Sequence, residues 1–432
     1  MTDRTSMFAS LRVRNYRLFA SGQVVSLTGT WMQRVAQDWL VLNLSHNSGT
    51  AVGITTGLQF APVLLFGLYG GLIADRYNKR RVLILTQITA GLLALALGLL
   101  DVTGVVALWH VYVLAFALGM ATAIDSPVRQ SFVTELVGPT LLANAVSLNS
   151  ATFNIARVLG PASAGLLIAA TGTSWVFLIN AASFAAVLAG LIAMRDDQLF
   201  VGKPIARRKG AVREGLAYVR KRPELMAITG LVGVVGTLGF NFQLTSALLT
   251  KNTFHQGAGS YGLISAVYAF GALLGALASA KRGRAARRRL VFVAAASYGV
   301  IEIIAGLMPT YWSFFALLVP FGFATLMFST AANTTVQLAA SPAMRGRVMA
   351  LYLIVFMGGT PLGSPFIGWI AEVAGPRWSL ITGGVASASA AVVAALYLAR
   401  RERLTVEPHL LRRRPHVHVR NTQPVQEEAL AG

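Results

Sequence analysis

The stretch Gly71-Leu-Ile-Ala-Asp75-Arg76-Tyr-Asn-Lys79-Arg80-Arg81 lies between two long apolar segments and decides how the rest of the chain is interpreted. One carboxylate and four cations fall within the seven positions from Asp75 to Arg81. Charges at this density are too costly to place in the hydrocarbon of a bilayer. The stretch therefore predicts a short charged loop, at a membrane face, between two membrane-spanning helices.

The composition supports a membrane protein. Of the 432 residues, 55% are hydrophobic and only 12% are charged, and the mean hydropathy is +0.61. Soluble domains carry about twice that share of charged residues. The chain contains no cysteine, which excludes disulfides and cysteine-based metal sites. An all-α integral membrane fold is predicted, and we expect no metal and no cofactor.

Twelve segments are long and apolar enough to cross a bilayer as helices, which takes about 20 residues. Several contain Gly or Pro, which packed membrane helices tolerate. The predicted spans are 18–42, 51–74, 82–102, 105–124, 141–170, 173–194, 225–249, 259–280, 290–308, 311–333, 348–374 and 378–399.

Lys and Arg are distributed unequally between the two sides of these spans. With both termini placed in the cytoplasm, all but four of the 37 Lys and Arg residues fall on the cytoplasmic side, the exceptions being Lys251, Arg377, Arg34 and Arg157. This asymmetry is the positive-inside rule, and it accounts for the net charge of +21. The basic composition therefore does not indicate nucleic-acid binding. A multi-pass protein of the plasma membrane with both termini in the cytoplasm is expected.

An internal repeat divides the chain into two halves. A shift of 203 residues places Pro139 on Pro342, Leu148 on Leu351, Gly160 on Gly363, Gly165 on Gly368 and Gly172 on Gly375. Repeated six-helix bundles are typical of transporters that rock around a site between the halves. The predicted division is a cytoplasmic N-terminus 1–17, an N-terminal bundle 18–194, a cytoplasmic central loop 195–224, a C-terminal bundle 225–399 and a basic cytoplasmic tail 400–432, expected to be disordered.

The charged loop resembles the G-x-L-A-D-R-x-G-R-K/R signature of the major facilitator superfamily, with Asn78 where that pattern has Gly and Lys79 where it has Arg. A decayed copy follows the eighth span at Gly275-Ala-Leu-Ala-Ser279-Ala-Lys281-Arg-Gly283-Arg284, with Ser279 in place of the acid. The resemblance covers roughly residues 10–400. It implies a fold of 12 transmembrane helices in two pseudo-symmetric six-helix bundles.

Three further stretches look like the exporters of this superfamily. Asp125-Ser-Pro127-Val-Arg129-Gln130 and Asn144-Ala-Val-Ser-Leu148-Asn149 resemble the branch that contains macrolide efflux proteins and the enterobactin exporter. Arg157-Val-Leu-Gly160-Pro161-Ala-Ser-Ala-Gly165 is similar to the fifth-helix signature of drug:proton antiporters. The fourth span lacks the Arg that many of these antiporters carry there, so a proton relay built on that Arg is not expected.

Proton coupling would then use other acids inside the spans. Arg34 and Asp38 lie four residues apart on one helix face, which makes Asp38 a candidate proton acceptor beside Arg34. The alternative is a permanent ion pair. Glu302, in the middle of the ninth span, is the other candidate. A packing role is favoured for Glu302, because the resemblance implies a peripheral ninth helix.

The resemblance also implies a gate at the cytoplasmic face. Asp75 would face the N-terminus of the eleventh helix near Arg347, where the helix dipole stabilises a carboxylate. Asp125 would pair with Lys79, Arg76 or Arg129, and the whole would act as a latch in the outward-facing state. A simple topological anchor is the alternative. The residues of this gate are Gly71, Asp75, Arg76, Lys79, Arg80, Asp125, Arg129 and Arg347.

The fifth and eleventh helices carry small residues and prolines that allow helices to approach closely. The pattern predicts a bend where the halves meet, or tight packing against neighbouring helices. Three roles are open for Arg157: binding an anionic substrate, pairing with Asp38, or a purely structural role. The motif comprises Arg157, Gly160, Pro161, Gly165, Pro361, Gly363 and Gly368.

A substrate cavity is expected among the first, fourth, seventh and tenth helices. Aromatic and amide groups with few charges suit an apolar or amphiphilic solute. Gln33 and Gln37 are interpreted as widening the polar stripe of Arg34 and Asp38 toward this cavity. The candidates for its lining are Gln23, Trp31, Gln37, Phe240, Asn241, Gln243, Thr325 and Asn333.

Together these features predict a monomeric, proton-driven exporter of small amphiphilic compounds, of drug, macrolide or siderophore type, and not an enzyme. The first alternative is a lysophospholipid flippase or importer of the same fold. The second is a non-transporting membrane sensor, in which bulky side chains would fill the central cavity.

Asp75→Asn is expected to slow transport without abolishing substrate binding, because the carboxylate would act at the gate and not in the cavity. Transport rates in vesicles and substrate binding to the purified protein measure the two effects separately. An equal loss of both would mean that the substitution had disrupted the fold.

Overall fold

The computed structural model describes residues 8–200, 211–282, 288–401, 404–409 and 416–421. Within these ranges the chain is almost entirely helical. The α-helices are α1 Arg14–Leu44, α2 Gly49–Arg76, α3 Lys79–Val102, α4 Leu108–Thr171, α5 Thr173–Ile192, α6 Ala211–Arg220, α7 Pro223–Val234, α8 Phe242–Leu248, α9 Ala258–Arg282, α10 Arg288–Leu307, α11 Tyr311–Ala316, α12 Leu318–Ala339, α13 Arg345–Val373 and α14 Pro376–Arg401. Short 3₁₀ turns occupy Ala9–Arg12 and Asp196–Gln198.

Ten helical segments of the described chain are long and apolar enough to cross a membrane. One of them, α4, has 64 residues and is broken at Gly138, which has a positive φ of 66° and precedes Pro139. It therefore contains two of the predicted spans. The 31-residue helix α1, more polar than the others, packs against α4 and α5. The predicted twelve spans correspond to these ten segments, with α4 counted twice and α1 added.

The predicted spans 105–124 and 141–170 place Arg129 in a connecting loop, and this prediction is wrong, because the stretch is helical. α4 continues past Asp125 to the break at Gly138. Its apolar residues recur every four positions at Val128, Phe132 and Leu136, and all three are fully buried against α1 and α3. The reason for the difference is this amphipathic period, which stabilises a helix beyond the hydrocarbon core.

The seventh predicted span is interrupted by two π-helical turns, Val235–Gly239 and Leu249–Thr253, which flank α8. Between α7 and α8 the backbone leaves the helix at Phe240 and Asn241. The Asn241 side-chain amide donates to the Thr237 carbonyl at 2.9 Å, which supplies a partner to backbone released by the break. π-turns of this kind concentrate at functional sites.

The helices form two halves, α1–α5 and α7–α14. Each half has its own packed core, and a third apolar cluster contains residues of both halves. The halves meet along two helix pairs, α2 with α13 and α4 with α9. We call the face that carries Lys79, Arg129 and Arg347 the basic face, and the other the opposite face. The central-loop helix α6 packs against α13 at the basic face.

Glycines allow the closest contacts between the halves, and these lie toward the opposite face. A Cβ on Gly53 would collide with the Ser364 carbonyl, and a Cβ on Gly165 would lie 2.9 Å from the Gly262 Cα. Nearer the basic face, Gly67 and Gly346 have no atom within 4 Å of such a Cβ. The halves are therefore closed against each other at the opposite face.

In the tail, for which the sequence predicts disorder, the structure describes an antiparallel pair of strands, β1 Leu404–His409 and β2 His416–Asn421. Alternating apolar residues such as Val417 and Val419 favour an extended chain. The other tail residues beyond Arg401 lie outside the described ranges.

Gly53→Val is expected to push the halves apart at the opposite face, because its side chain has no room beside Ser364. The measurement is the distance between spin labels on Val102→Cys and Leu307→Cys, at exposed ends of α3 and α10 in a chain without native cysteine. Gly67→Val, which adds the same side chain to α2 in open space, is the matched control. Equal label distances in both variants would contradict close packing at Gly53.

Candidate functional site

A cavity of about 460 Å³ lies between the two halves. Residues of α1, α2 and α4 line it on one side, and residues of α8, α9, α12 and α13, with the break before α8, line it on the other. The volume falls within the range of small-molecule sites. Its polar and charged lining residues are Arg34, Asp38, Thr56, Gln59, Arg157, Asn241, Gln243, Ser265, Thr325, Ser329, Thr360 and Ser364.

Five of the predicted cavity residues line it, namely Trp31, Phe240, Asn241, Gln243 and Thr325. The other three do not. Gln23 accepts a hydrogen bond from Arg129 at the basic face. Asn333 lies on α12 two turns beyond the lining residue Thr325 and accepts a hydrogen bond from Gln337.

The third residue outside the cavity, Gln37, corrects the interpretation of the polar stripe on α1. Trp31, Arg34 and Asp38 face the cavity, and the 100° turn per residue carries Gln33 and Gln37 away from it. Gln37 is buried, and Gln33 accepts a hydrogen bond from Asn180 of α5. The two glutamines therefore belong to packing within the N-terminal half.

Asp38 connects the two halves. Its carboxylate is buried and accepts a hydrogen bond of 2.8 Å from the hydroxyl of Tyr261 on α9. No salt bridge joins Asp38 to Arg34 in the described structure, so the predicted permanent ion pair is not formed here. The Arg34 guanidinium instead lies over the rings of Trp31, at 4.7 Å, and Phe60, at 5.7 Å.

Arg157 reaches the cavity from α4 one turn before Pro161. Its Nε and Nη2 atoms are buried without a hydrogen-bond acceptor, and it forms no salt bridge with Asp38 in the described residues. Of the interpretations offered by the sequence, pairing with Asp38 is therefore not observed. The guanidinium therefore lies at the wall of the cavity with two N–H donor groups that no described protein atom accepts.

Glu302 lies outside the cavity, within the C-terminal half. Its carboxylate is 1% exposed and lies beside Gly239 of the π-turn and Gly383 of α14, where a Cβ would come within 3.5 and 2.9 Å of its oxygens. The Tyr298 hydroxyl, one turn away, donates to the Gly239 carbonyl at 2.6 Å. The carboxylate is thus enclosed by helices of one half, and the packing role that the sequence favours for Glu302 stays a prediction.

At the basic face, Asp125 pairs with Arg129, one of the three partners that the sequence allows. The Arg129 guanidinium donates to the carboxylate from Nε at 2.8 Å and also from Nη2. Thr86 and Gln87 of α3 donate to its other oxygen, each at 2.8 Å. The carboxylate is thus fully satisfied within the N-terminal half.

The other gate cations also form no ion pair across the halves in the described structure: Lys79 and Arg80 pair on the N-terminal side, and Arg347 pairs with the central-loop helix. Lys79 pairs with Glu135 of α4 at 2.6 Å, and Arg80 with Asp196 at 2.5 Å. Arg347 pairs with Glu214 of α6 at 2.8 Å. Asp75 lies in the last turn of α2 beside the exposed Arg76, and Gly71 is buried one turn earlier. In this conformation the latch between the halves remains a prediction.

The packing motif makes the same two contacts in both copies of the repeat. Gly160 packs on α1 of its own half, and Gly363 packs on the π-turn that follows α7 in the other half. Gly165 contacts Gly262, and Gly368 contacts Gly49, in each case across the two halves. The backbone carbonyls of Pro161 and Pro361 lie against Gly262 and Gly57. The motif therefore packs each bundle and also forms the inter-half contact.

Polar contacts between the halves form a seal at the opposite face. Glu372 accepts hydrogen bonds from the Ser48 hydroxyl at 2.7 Å and from the Thr50 backbone N–H at 3.0 Å. Lys251 donates to Asn43 at 2.5 Å. We call these contacts, together with Tyr261 and Asp38, the opposite-face seal.

Sequence reasoning missed the partners across the halves, namely Tyr261 and Glu372, and the basic-face acids Glu135 and Glu214. A signal for Tyr261 was present, because Ser265 and Tyr268 follow it at helical spacing and form a polar stripe on α9. Nothing in the sequence indicates which helix that stripe faces.

A family model matches residues 5–423 of the chain, and its members are described as transmembrane secretion effectors, MFS_3. The chain belongs to this family. It is therefore a multi-pass membrane transporter of the major facilitator type and not an enzyme, as the sequence predicts.

Relatives and solved structures agree with this assignment. Enterobactin exporters EntS of Shigella boydii serotype 18 and of Escherichia coli strains are 25% identical over 384 residues, covering 87% of this chain and 88% of theirs. The fold is similar to an inward-facing, occupied bacterial homolog of the human lysosomal transporter Spinster, with TM-score 0.71, 20% identity and coverage of 89% and 97%. It is also similar to the POT family transporter PepTSo, with TM-score 0.73, 14% identity and coverage of 90% and 99%.

Tyr261→Phe is expected to destabilise the protein by about 2 kcal/mol, because a buried carboxylate loses a charge-assisted hydrogen bond. Thermal unfolding in detergent, followed by tryptophan fluorescence, measures the effect. Tyr311→Phe, which removes a longer bond of 3.4 Å to the Ser260 carbonyl, is the matched control. Equal decreases in unfolding temperature for the two variants would mean that the hydrogen bond to Asp38 stabilises the protein no more than the longer bond to Ser260.

Proposed function

We propose that the protein is a secondary active transporter that exports small amphiphilic compounds, of drug, macrolide or siderophore type, by proton antiport and alternating access. The observation that carries the proposal is the cavity of about 460 Å³ between the halves, lined by both of them. The similarity to enterobactin exporters supports export as the direction of transport. We propose that the chain works as a monomer with both termini in the cytoplasm.

The arrangement of the halves supports alternating access. The opposite-face seal joins them on one side of the cavity, and Gly67 and Gly346 lie in open space toward the basic face. If the basic face is cytoplasmic, as the positive charge favours, this conformation faces inward. In the outward-facing state the gate at Asp75, Asp125 and Arg347 would close instead.

Asp38 is the proposed site of proton coupling. It lines the cavity, so a proton can reach it from there, and it accepts the Tyr261 hydrogen bond that joins the halves. A protonated carboxyl accepts a weaker bond than a carboxylate, so protonation favours separation of the halves at the seal. A charge change is thereby linked to the conformational equilibrium, which is what coupling requires. Glu302, outside the cavity, is the second candidate.

The open cavity argues against the non-transporting sensor, for which a filled centre is expected. The lysophospholipid alternative gains no specific support from the residues that line the cavity.

The first experiment is accumulation of cationic, neutral and anionic fluorescent amphiphiles in a host that lacks its own efflux pumps. An exporter lowers accumulation of at least one of them by several-fold. Unchanged accumulation across the whole panel would contradict export.

The second experiment uses everted membrane vesicles that are acidified inside, with a solute identified by the first. We expect uptake of the solute with release of protons, and loss of the response to the gradient in Asp38→Asn. Glu302→Gln is the matched control, because it removes the other candidate acid. Transport that survives both Asp38→Asn and collapse of the gradient would contradict coupling through Asp38.

A further inference from the structure

The cavity carries an excess of positive charge. Its lining includes the guanidinium groups of Arg34 and Arg157, and Asp38 is the single carboxylate among the lining residues that the structure describes. With all three groups ionised, one positive charge is left without a counter-charge. A charge inside a membrane span is costly, and its presence commonly marks a binding or transport pathway.

Three donor atoms of the two arginines have no acceptor within the described protein. Arg34 Nε, Arg157 Nε and Arg157 Nη2 are buried and have no hydrogen-bond acceptor. Asp38, the acceptor within the cavity best suited to them, is bonded to Tyr261. Buried donors without an acceptor destabilise a protein, and charged donors do so more strongly. An acceptor supplied by a ligand would remove this cost.

The surroundings of the arginines are flat and apolar. The guanidinium of Arg34 lies over Trp31 and Phe60. On the other wall, Phe242 and Tyr268 stack with their ring centroids 3.7 Å apart and an interplanar angle of 11°. Phe240 and Phe356 complete an aromatic lining. These surfaces suit an aromatic body attached to a charged group.

We infer that the cavity selects organic anions, with an oxyanion bound by Arg157 and Arg34 and an aromatic body held between the ring-lined walls. The planar fork of a guanidinium matches a carboxylate, sulfonate or phosphate, and two guanidiniums exceed what Asp38 alone can neutralise. The inference rests on the proposed function for its role in transport, and it narrows amphiphilic solutes to anionic ones. Arg157 is the specificity-determining residue.

A purely structural role for Arg157 is the competing account. Such a role needs an acceptor within the protein, and the described residues provide none to Nε or Nη2. A lipid headgroup offers the same oxyanion as a soluble metabolite, so the experiment includes both sources.

The test is ligand binding to the purified full-length protein in nanodiscs, measured by calorimetry near neutral pH. The probes share one ring system and differ in charge: 1-naphthaleneacetate, 1-naphthaleneacetamide and 1-naphthylmethylammonium. The anion is expected to bind at least about tenfold more tightly than the amide, as a charge-assisted bond predicts. Binding of the cation is expected to be weaker than that of the amide.

Arg157→Gln is expected to remove the anion preference and leave the affinity for the amide unchanged, a result that also demonstrates a folded cavity. Lys221→Gln, which removes an exposed cation between α6 and α7 and outside the cavity, is the matched control and should retain the preference. Arg34→Gln should reduce the anion preference in part.

A competition experiment distinguishes the two sources of the oxyanion. Stronger competition by lysophosphatidylglycerol than by 1-naphthyl phosphate would show that the oxyanion belongs to a lipid, and would support selection of anions from the bilayer.

Equal binding of the three probes by the unmodified protein, or tighter binding of the cation, would overturn the inference. So would an anion preference that survives Arg157→Gln and Arg34→Gln together. Failure of the proposed function would give a different result. The protein would still bind the anion more tightly than the amide, but it would transport none of the probes in vesicles.

Discussion

The rest of the structure depends on the hydrogen bond from the Tyr261 hydroxyl to the Asp38 carboxylate, because this bond links the two halves at the cavity. It is buried, it joins a helix of the N-terminal half to one of the C-terminal half, and its acceptor lines the cavity. A membrane interior tolerates such a carboxylate only where protein or cavity water surrounds it. The halves must therefore remain in contact around it, or admit water or a proton when they separate.

Small residues make that contact adjustable. The repeat places one glycine of each copy on its own bundle and another across the interface, so the two helix pairs between the halves have nearly equivalent surfaces. At Gly165 and Gly262, and at Gly49 and Gly368, the contact is between backbones. When the halves rock, the apolar cluster that contains residues of both must separate, whereas the cores within each bundle can stay packed.

Much of the fold followed from the sequence, because span length, charge asymmetry and the repeat each have a direct physical cause. The Asp125–Arg129 pair was one of three pairings that the resemblance left open, because the predicted spans end before Asp125 and only the observed helix places the two residues one turn apart. The site was predicted less completely. Gln37 was misplaced because polarity indicates that a face is buried but not what it faces. Tyr261 was missed because its partner lies 223 positions away, on a helix whose rotation only packing determines.

The most direct measurement is the distance between spin labels on Val102→Cys and Leu307→Cys, at the opposite face, as a function of pH. If protonation of Asp38 weakens the seal, lowering the pH should shift the unmodified background toward longer distances. Asp38→Asn should show the longer distances at every pH. A distance that does not depend on pH in the unmodified background, or an unchanged shift in Asp38→Asn, would contradict the account.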